Sequence, residues 1–534
     1  MKQFFALCLV TFAAAPAFAL DAEAERYVRL ALQLGEYDPD YVDAYLGPEE
    51  WAQSAKEDLK SEAELSVEIA ALFADLRAMS PDDPDSINRH RALLKNVQAM
   101  DTRMRMVNGE TFTFAEEARL IYDVVLPEFD FTEFDRAREV IDKLLPGEGD
   151  VSDRIAAFRD SLVIREEARD EVLNMAINEC RRRSAQHISL PSSERFTLEY
   201  VTDRSWSGYN WYQGDNESLM QFNLDFPIKV SAAIGLGCHE GYPGHHVWNV
   251  LVENRLLNEK GWIEFYVFPL FSPGALIGEG SANYGVDLAF PGSEKTDYER
   301  NVLFPMAGVD PDKVATLDVL NKLTKKLSFA QMATAQLYLD GAISREEAIE
   351  MRRKYGLSSR ARAEQSVRFI EQYRSYVLNY SLGQDIVKAY IEKHGDDPAS
   401  RWKVFEQMLT ELHFASDMTG ENDNSYIMNF DLALTRAEVE GVYGSIQLQG
   451  IHLKSEKPFH GSDLGEFEYF FTVSDEGAGK AKLLIEFYQF ETRHRKTLVS
   501  EMVSEVEFVL GVPAQFESSN ESIAVDLAFS IDRR

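Results

Sequence analysis

A cluster of histidines around a glutamate is the clearest chemical signal in the chain. Three of the ten histidines, His239, His245 and His246, fall within eight residues, and Glu240 directly follows the first. Neutral imidazole is a preferred zinc ligand, and a carboxylate beside a zinc-activated water is a competent general base. The cluster therefore predicts a hydrolytic zinc site with Glu240 as its catalytic base.

The spacing of these histidines requires a distorted helix. In the usual peptidase helix the second histidine follows the first by four residues, but here Pro243 holds that position. On an ideal helix His246 returns to the face of His239 about 10 Å further along the axis, and His245 points elsewhere. Pro243 and Gly244 permit a bulge or a break. We expect a bulge that makes His245 the ligand, with His246 as the alternative.

A zinc site that keeps a position for water needs a third protein ligand. Glu279 lies forty residues after His239 and begins a predicted helix, so its carboxylate can face the histidines from a neighbouring element. We predict one zinc ion per chain, held by His239, by His245 or His246, and by Glu279. Asp287 is either a partner that orients a metal-bound imidazole or a solvated helix residue.

Two segments resemble a known bacterial family. Residues 239–246 read His-Glu-Gly-Tyr-Pro-Gly-His-His, and residues 279–284 read Glu-Gly-Ser-Ala-Asn-Tyr. They resemble the His-Glu-x-x-Pro-Gly-His-His and Glu-Gly-Trp-Ala-Leu-Tyr-like segments of the domain of unknown function 885 family. The resemblance covers roughly residues 21–418 and implies a mostly helical, gluzincin-like, zinc-dependent peptidase. Ser281 and Asn283 stand where the family usually has Trp and Leu, so the substrate pocket should differ in shape.

A later aromatic segment supplies candidate substrate contacts. Residues 374–383 resemble the same family's segment that ends in Tyr-x-x-Gly, without its usual Pro-Gly-Gln part. Tyr380, or Tyr376 beside it, could donate a hydrogen bond to the oxyanion of a tetrahedral intermediate; the alternative is that both belong to the helix core. Arg374 is a candidate for binding a substrate carboxylate, with a structural ion pair as its alternative.

An aromatic-rich segment precedes the histidine cluster. It contains two tryptophans and two tyrosines interleaved with glycines: Trp206, Tyr209, Trp211 and Tyr212. These side chains either line a substrate cleft or cover the core.

Hydrophobic periodicity indicates a mainly α protein, in which a large helical metallopeptidase-like body positions these residues. Apolar residues recur every three or four positions from residue 21 to about 185, and again over 246–257, 279–289 and 311–414. A period of two within residues 193–227 predicts a small β element near the site. We expect loops at Pro273 and Pro291.

The last hundred or so residues have a different pattern. Alternating apolar and polar residues with turn signals between them predict a β-sandwich-like module. We therefore divide the chain into a signal peptide, 1–19, a helical metallohydrolase domain, 20–424, and a β-rich accessory domain, 425–534.

The N-terminus and the charge limit the setting in which the protein works. A basic start, the apolar run from Phe4 to Ala15 and the small-residue pattern ending at Ala19 predict a cleaved secretory signal, hence a periplasmic or secreted protein. The run is too short for stable membrane insertion. A net charge of −34 argues against nucleic acid as a partner. Cys180 and Cys238 could form one bridge, and Cys238, directly before His239, could be a metal neighbour, but we expect Cys238 to be a buried free thiol.

These observations favour an exported zinc-dependent hydrolase that cleaves peptide or related amide bonds. An amidase or esterase could use the same metal site. A second alternative is an exported binding protein that has lost turnover. The free carboxylate of Glu240 argues against this second alternative, because a purely structural zinc site does not require it.

Overall fold

The structure is a computed structural model that describes residues 16–81 and 83–419 and the β-strands of the C-terminal region. The chain divides into two compact units, Met1–Met418 and Thr419–Arg534. The first fifteen residues of the predicted signal peptide lie outside the described residues. Among the helices that are described, none has both the length and the apolar character needed to cross a membrane.

The first part of the large unit is helical, as predicted. Its helices are α1 Pro16–Tyr37, α2 Glu49–Glu57, α3 Glu62–Ala78, α4 Pro84–Val107, α5 Phe114–Tyr122, α6 Phe131–Leu144, α7 Val151–Asp160, a 3-10 turn Glu166–Ala168 and α8 Arg169–Ser184. Ser61 and Glu64 form a reciprocal capping box at α3, which satisfies N–H groups that have no partner within the helix. Tyr27, Leu30 and Leu34 of α1 are buried, in agreement with the predicted recurrence of apolar residues every three or four positions.

Two small sheets lie in the large unit. Their strands are β1 Val42–Tyr45, β2 Arg195–Val201, β3 Gly208–Gly214, β4 Glu217–Asn223 and β5 Val267–Pro269. In the three-stranded sheet, β4 lies between β2, to which it is parallel, and β3, to which it is antiparallel. This sheet confirms the predicted β element. The antiparallel pair of β1 and β5 was not predicted, because strands this short show no clear period of two.

A run of short helices carries the histidine cluster. It consists of α9 Val230–Leu236, a π-helical turn Gly237–Gly241, α10 His245–Leu251, a second π-helical stretch Val252–Glu259, a 3-10 turn Ile263–Tyr266 and then α11 Pro273–Ala289. The predicted loop at Pro273 is wrong. Pro273 is the first residue of α11. A backbone N–H at that position has no partner within the helix, so a proline, which lacks this group, fits there. Glu279 therefore lies within this helix and not at its start.

Helices also form most of the remaining large unit, as predicted. They are α12 Glu294–Tyr298, a π-helical turn Glu299–Leu303, α13 Phe304–Ala307, α14 Lys313–Lys325, α15 Ser328–Leu339, α16 Arg345–Gly356, α17 Arg360–Tyr373, a 3-10 turn Arg374–Val377, α18 Leu378–His394, α19 Pro398–Thr410 and α20 Ala415–Thr419. Helices α11 and α18 cross closely, because a Cβ on Gly280 would lie 2.4 Å from the carbonyl oxygen of Gly383. The crossing brings Tyr380, one turn before Gly383, next to α11.

A disulfide joins Cys180 on α8 to Cys238 in the π-helical turn. The expectation of a free thiol at Cys238 is therefore wrong. The backbone of the two elements also packs tightly, since a Cβ on Gly237 would lie 3.1 Å from Cα of Ile177. The turn that carries the first candidate ligand is thus tied to α8 both covalently and by packing.

The described part of the C-terminal unit consists of β-strands. They are β6 Ser425–Arg436, β7 Val442–Lys454, β8 Phe459–Gly461, β9 Phe467–Gly477, β10 Lys480–Thr492, β11 Arg495–Val509, β12 Ala514–Ser519 and β13 Ile523–Arg533. They form two antiparallel four-stranded sheets, in the orders β11-β10-β9-β8 and β12-β13-β6-β7. The predicted change from helix to strand is confirmed, and the sandwich packing of the sheets stays a prediction.

Candidate metal centre

The chain leaves the helix between the first and second histidines of the cluster. His239 lies in the π-helical turn, which ends at Gly241. Residues 242–244 are not helical, and α10 begins at His245. A Cβ on Gly244 would lie 1.9 Å from the carbonyl oxygen of His239, so a side chain there would prevent the sharp return. The predicted distortion at Pro243 and Gly244 is confirmed, but it is a complete break and not the bulge expected for His245.

Three side chains from three elements converge at one point. His239, His245 and Glu279 each place a ligand atom within 4.8 Å of the others. The two Nε2 atoms are 3.1 Å apart, Nε2 of His239 is 3.3 Å from Oε2 of Glu279, and Nε2 of His245 is 3.7 Å from Oε1. Ligands about 2.0 Å from a tetrahedral zinc ion are separated from one another by about 3.3 Å. The arrangement therefore has the dimensions of a site for a single metal ion.

One oxygen of Glu279 supports this assignment. Oε2 is buried and has no hydrogen-bond partner in the part of the chain that the structure describes, whereas Oε1 accepts a hydrogen bond of 2.7 Å from the hydroxyl of Tyr376. A buried carboxylate oxygen without a donor is costly, and a cation between the two histidines would compensate it. Two imidazole nitrogens and one carboxylate are also a donor set that suits zinc.

Burial and neighbouring charges shift the pKa values of the titratable groups at this centre in different directions. Burial lowers the pKa of His239, but the carboxylates of Glu240 and Glu279 outweigh that effect and raise it to about 9. Burial lowers the pKa of His245 to about 4, so this imidazole is neutral and keeps a free lone pair. Burial raises the pKa of Glu240 to about 7. A carboxyl group with that pKa can both accept and return a proton near neutral pH.

Glu240 and the three converging side chains line one cavity of about 680 Å³. Among the aromatic residues predicted to line a cleft or cover the core, Trp206, Tyr209 and Tyr212 line this cavity. Trp211 does not line it and is 46% exposed. The aromatic segment therefore contributes both to the cavity wall and to the outer surface.

Asp43 is a cavity residue that the sequence analysis missed. It lies on β1, and its Oδ1 accepts a 2.8 Å hydrogen bond from the hydroxyl of Tyr209. Burial raises its pKa to about 6, and its charge contributes to the raised pKa of Glu240. No sequence signal could have found it, because a lone aspartate far from the motif resembles any surface residue.

His246, the alternative metal ligand, lies outside the centre. Its ring is fully buried, with Nδ1 2.8 Å from Oγ of Ser218 and Nε2 3.0 Å from Oε2 of Glu194. The hydroxyl of Tyr242 donates to the same carboxylate, and Arg181 pairs with it. Both ring nitrogens therefore have partners, and His246 links α10 to the three-stranded sheet.

The residues predicted for substrate contact differ in position. Tyr380 lines the cavity, with its ring centroid 6.5 Å from that of His239. Tyr376 also lines it but donates its hydroxyl to Glu279. Arg374 pairs with the buried carboxylate of Glu117, so the structural alternative describes it better than the predicted substrate contact. Asp287 is half-exposed and lies 3.9 Å from Lys325, which favours its reading as a solvated helix residue.

Comparisons with known proteins leave the family open. No family model matches the chain, and no curated protein matches it. Among solved structures, it is similar to the "putative lipoprotein from Colwellia psychrerythraea", with 16% sequence identity and a TM-score of 0.43 over 69% of this chain and 68% of that chain. A TM-score this low carries no conclusion about fold or function. The resemblance to the domain of unknown function 885 family thus rests on the motif residues.

Proposed function

We propose that this protein is a zinc-dependent hydrolase that cleaves peptide or related amide bonds, as the motif resemblance to the domain of unknown function 885 family implies. The observation that carries the proposal is the convergence of His239, His245 and Glu279, with a buried carboxylate oxygen that lacks a partner. Glu240 lies in the same cavity. In this assignment one zinc ion binds per chain.

The residues around the ion have distinct roles in this mechanism. When bound, zinc supplies a Lewis acid that polarises the substrate carbonyl and lowers the pKa of a water molecule. Glu240 accepts the proton of the attacking water and delivers it to the leaving amine. Tyr380 donates a hydrogen bond to the oxyanion from the cavity wall. Tyr376 is a positioning residue, because its hydroxyl holds Glu279.

We also propose that the protein is exported to the periplasm or secreted. The basic and apolar start of the chain supports export. The disulfide between Cys180 and Cys238 adds support, because such bonds persist in oxidising compartments. Fractionation of cells that produce the full-length chain, with N-terminal sequencing of the product, tests this. A chain in the cytoplasmic fraction that keeps its first 19 residues would contradict it.

Metal analysis and a substrate panel test the hydrolase function. The purified protein should contain one zinc ion per chain, lose activity on treatment with a chelator and regain it when zinc is added back. Peptides should be cleaved faster than matched non-peptide amides and esters. Cleavage of only the amides or esters would replace the peptidase assignment with that alternative, and a zinc-loaded protein that cleaves none of them would contradict catalysis.

A further inference from the structure

A second polar group faces the same cavity from α16 and α17. It consists of Arg352, Arg362, Gln365 and Ser366, which all line the cavity. Nε of Arg352 donates to Oγ of Ser366 at 2.7 Å, and Nη1 of Arg362 donates to Oε1 of Gln365 at 3.5 Å. The hydrogen-bond partners of both guanidinium groups are therefore uncharged.

Both arginines are unusual for these two helices. Nearby arginines form ion pairs: Arg345 with Glu371, Arg353 with Asp153 and Arg360 with Glu346. Among the described residues, no carboxylate lies within ion-pair distance of Arg352 or Arg362. Asp160 contributes a favourable charge near Arg362 but is paired with Lys229 at 2.9 Å. Two cavity-lining cations without an ion-pair partner among the described residues are notable in a chain of net charge −34.

Burial without an ion-pair partner has its clearest effect on Arg352. Burial lowers the pKa of its guanidinium to about 10, with no carboxylate to oppose the effect. Burial also lowers the pKa of Arg362. A cation that is partly removed from water is costly unless an anion pairs with it. A bound anion would remove this cost at both positions.

We propose that Arg352 and Arg362 bind a carboxylate group of the substrate. The inference rests on the proposed hydrolase function, since it names the class of peptide that the same cavity accepts. The planar guanidinium presents parallel N–H groups that match the two oxygens of a carboxylate. That carboxylate belongs either to the C-terminus of the peptide or to an acidic side chain.

Residues of helix α17 give an approximate distance between this polar group and the metal centre. The ring of Phe369 lies 6.1 Å from that of Tyr380, whose ring is 6.5 Å from that of His239. Arg362 is seven residues before Phe369, which is about 10 Å along a helix. An extended peptide advances about 3.3 Å per residue, so the bound carboxylate lies several residues from the cleaved bond.

Binding of matched peptide pools to a zinc-loaded Glu240→Gln protein tests the proposal. Three pools of octapeptides with free amino ends are compared: one with free carboxyl termini and no acidic residue, the same sequences as carboxamides, and carboxamides that contain one glutamate. At least one carboxylate-bearing pool should bind about tenfold tighter than the neutral pool. A preference for the first pool identifies the C-terminus, and one for the third identifies a side chain.

Substitutions on the same helices locate the effect. Adding Arg352→Gln or Arg362→Gln should reduce the carboxylate preference to about twofold or less, whereas the neighbouring surface changes Arg353→Gln and Arg360→Gln should leave it intact. If a Gln variant does not fold, Arg352→Lys and Arg362→Lys keep the charge but lose the planar fork, and should show an intermediate preference. Equal binding of all three pools, or a preference that survives both substitutions, would overturn the proposal.

A separate measurement distinguishes this proposal from the proposed function. Cleavage of the same pools is followed with the unmodified zinc-loaded protein. Cleavage without any carboxylate preference in binding overturns the anion site and leaves the hydrolase function standing. Carboxylate-dependent binding that needs both arginines, with no pool cleaved, supports the anion site and overturns the peptidase function.

Discussion

Oδ1 of Asn283 lies 3.2 Å from Nδ1 of His239, while the amide nitrogen of Asn283 donates to the backbone carbonyl of Tyr380 over 3.2 Å. Because the amide nitrogen is engaged by that carbonyl, the amide oxygen faces the imidazole and accepts its Nδ1–H. When a metal ion replaces the proton on Nε2, this hydrogen bond holds the Nε2 lone pair toward His245 and Glu279. A hydrogen-bond acceptor such as Asn283, placed on the side of the ring away from the metal, fixes the tautomer and the ring orientation of a metal-binding histidine.

Replacing Asn283 with leucine, the residue usual at this position in the resembling family, should weaken zinc binding. The change removes the acceptor for His239 and leaves the three converging side chains intact, so we expect zinc affinity to fall on the order of tenfold. Asn283→Asp keeps an acceptor and should retain affinity. Competition with a chromophoric chelator measures both variants. Equal affinity in the Leu variant and the unmodified protein would show that Asn283 does not orient the ligand.

Glu240→Gln should abolish most activity while zinc stays bound. Glutamine is nearly isosteric but cannot accept the proton, so turnover should fall on the order of a hundredfold or more. The change should spare the fold, because the hydrogen bond between Asn210 and this segment uses the backbone carbonyl of Glu240. Zinc content and turnover are measured on the same preparation. Near-normal turnover with zinc present would remove Glu240 from the mechanism.

His245→Ala and His246→Ala should impair different properties, zinc binding in the first variant and folding stability in the second. Loss of His245 removes one of the three converging ligands and should abolish tight zinc binding with a modest effect on folding. Loss of His246 removes the partner of Ser218 and Glu194 inside the core, so it should lower the free energy of unfolding by about 3 kcal/mol. Chelator competition and denaturant titration separate the two effects. A folded His246→Ala protein that lacks zinc would reverse the assignment.

Much of the fold was predictable from the sequence because its signals are local. The apolar spacing of α1 predicts a face that the structure buries at Tyr27 and Leu34. The period of two around Phe222 predicts a strand, and the structure has one. The motif itself concentrates His239, Glu240, His245 and His246 in a few residues, so their chemistry alone made them candidates.

The remaining features depend on long-range packing that one sequence does not reveal. Asp43 lies far from the motif in the chain and reaches the cavity only because β1 pairs with β5. Arg374 was a candidate either for a substrate contact or for a structural ion pair, and its partner Glu117 lies 257 residues away in the chain. The choice between His245 and His246 depended on how sharply the chain turns at Gly244, and that turn requires a residue without a side chain, because a Cβ there would clash with the His239 carbonyl.

Loss of the disulfide should destabilise the large unit. Cys180 and Cys238 are 58 residues apart, and closing a loop of that size stabilises a fold by about 4 kcal/mol through restriction of the unfolded chain. Cys180→Ser combined with Cys238→Ser should therefore lower the denaturant midpoint. A reducing agent should lower the midpoint of the unmodified protein but not that of the double variant. Equal midpoints under all these conditions would show that the bond does not form.

The β-rich unit should be dispensable for metal binding. The converging side chains all lie within the first compact unit, which ends at Met418, and no described residue of the second unit belongs to the group. The histidines of the second unit, at positions 452, 460 and 494, are widely spaced in the sequence, so they offer no obvious alternative site.

A chain that ends at residue 424 should therefore bind one zinc ion, with an affinity within about twofold of that of the full chain, because removing a separate unit leaves every ligand in place. Zinc content and chelator competition are measured on a truncated protein whose circular dichroism shows intact helices. The matched control is the same truncation with His245→Ala, which should bind no zinc tightly. A folded truncation without zinc would mean that the second unit contributes to the metal site.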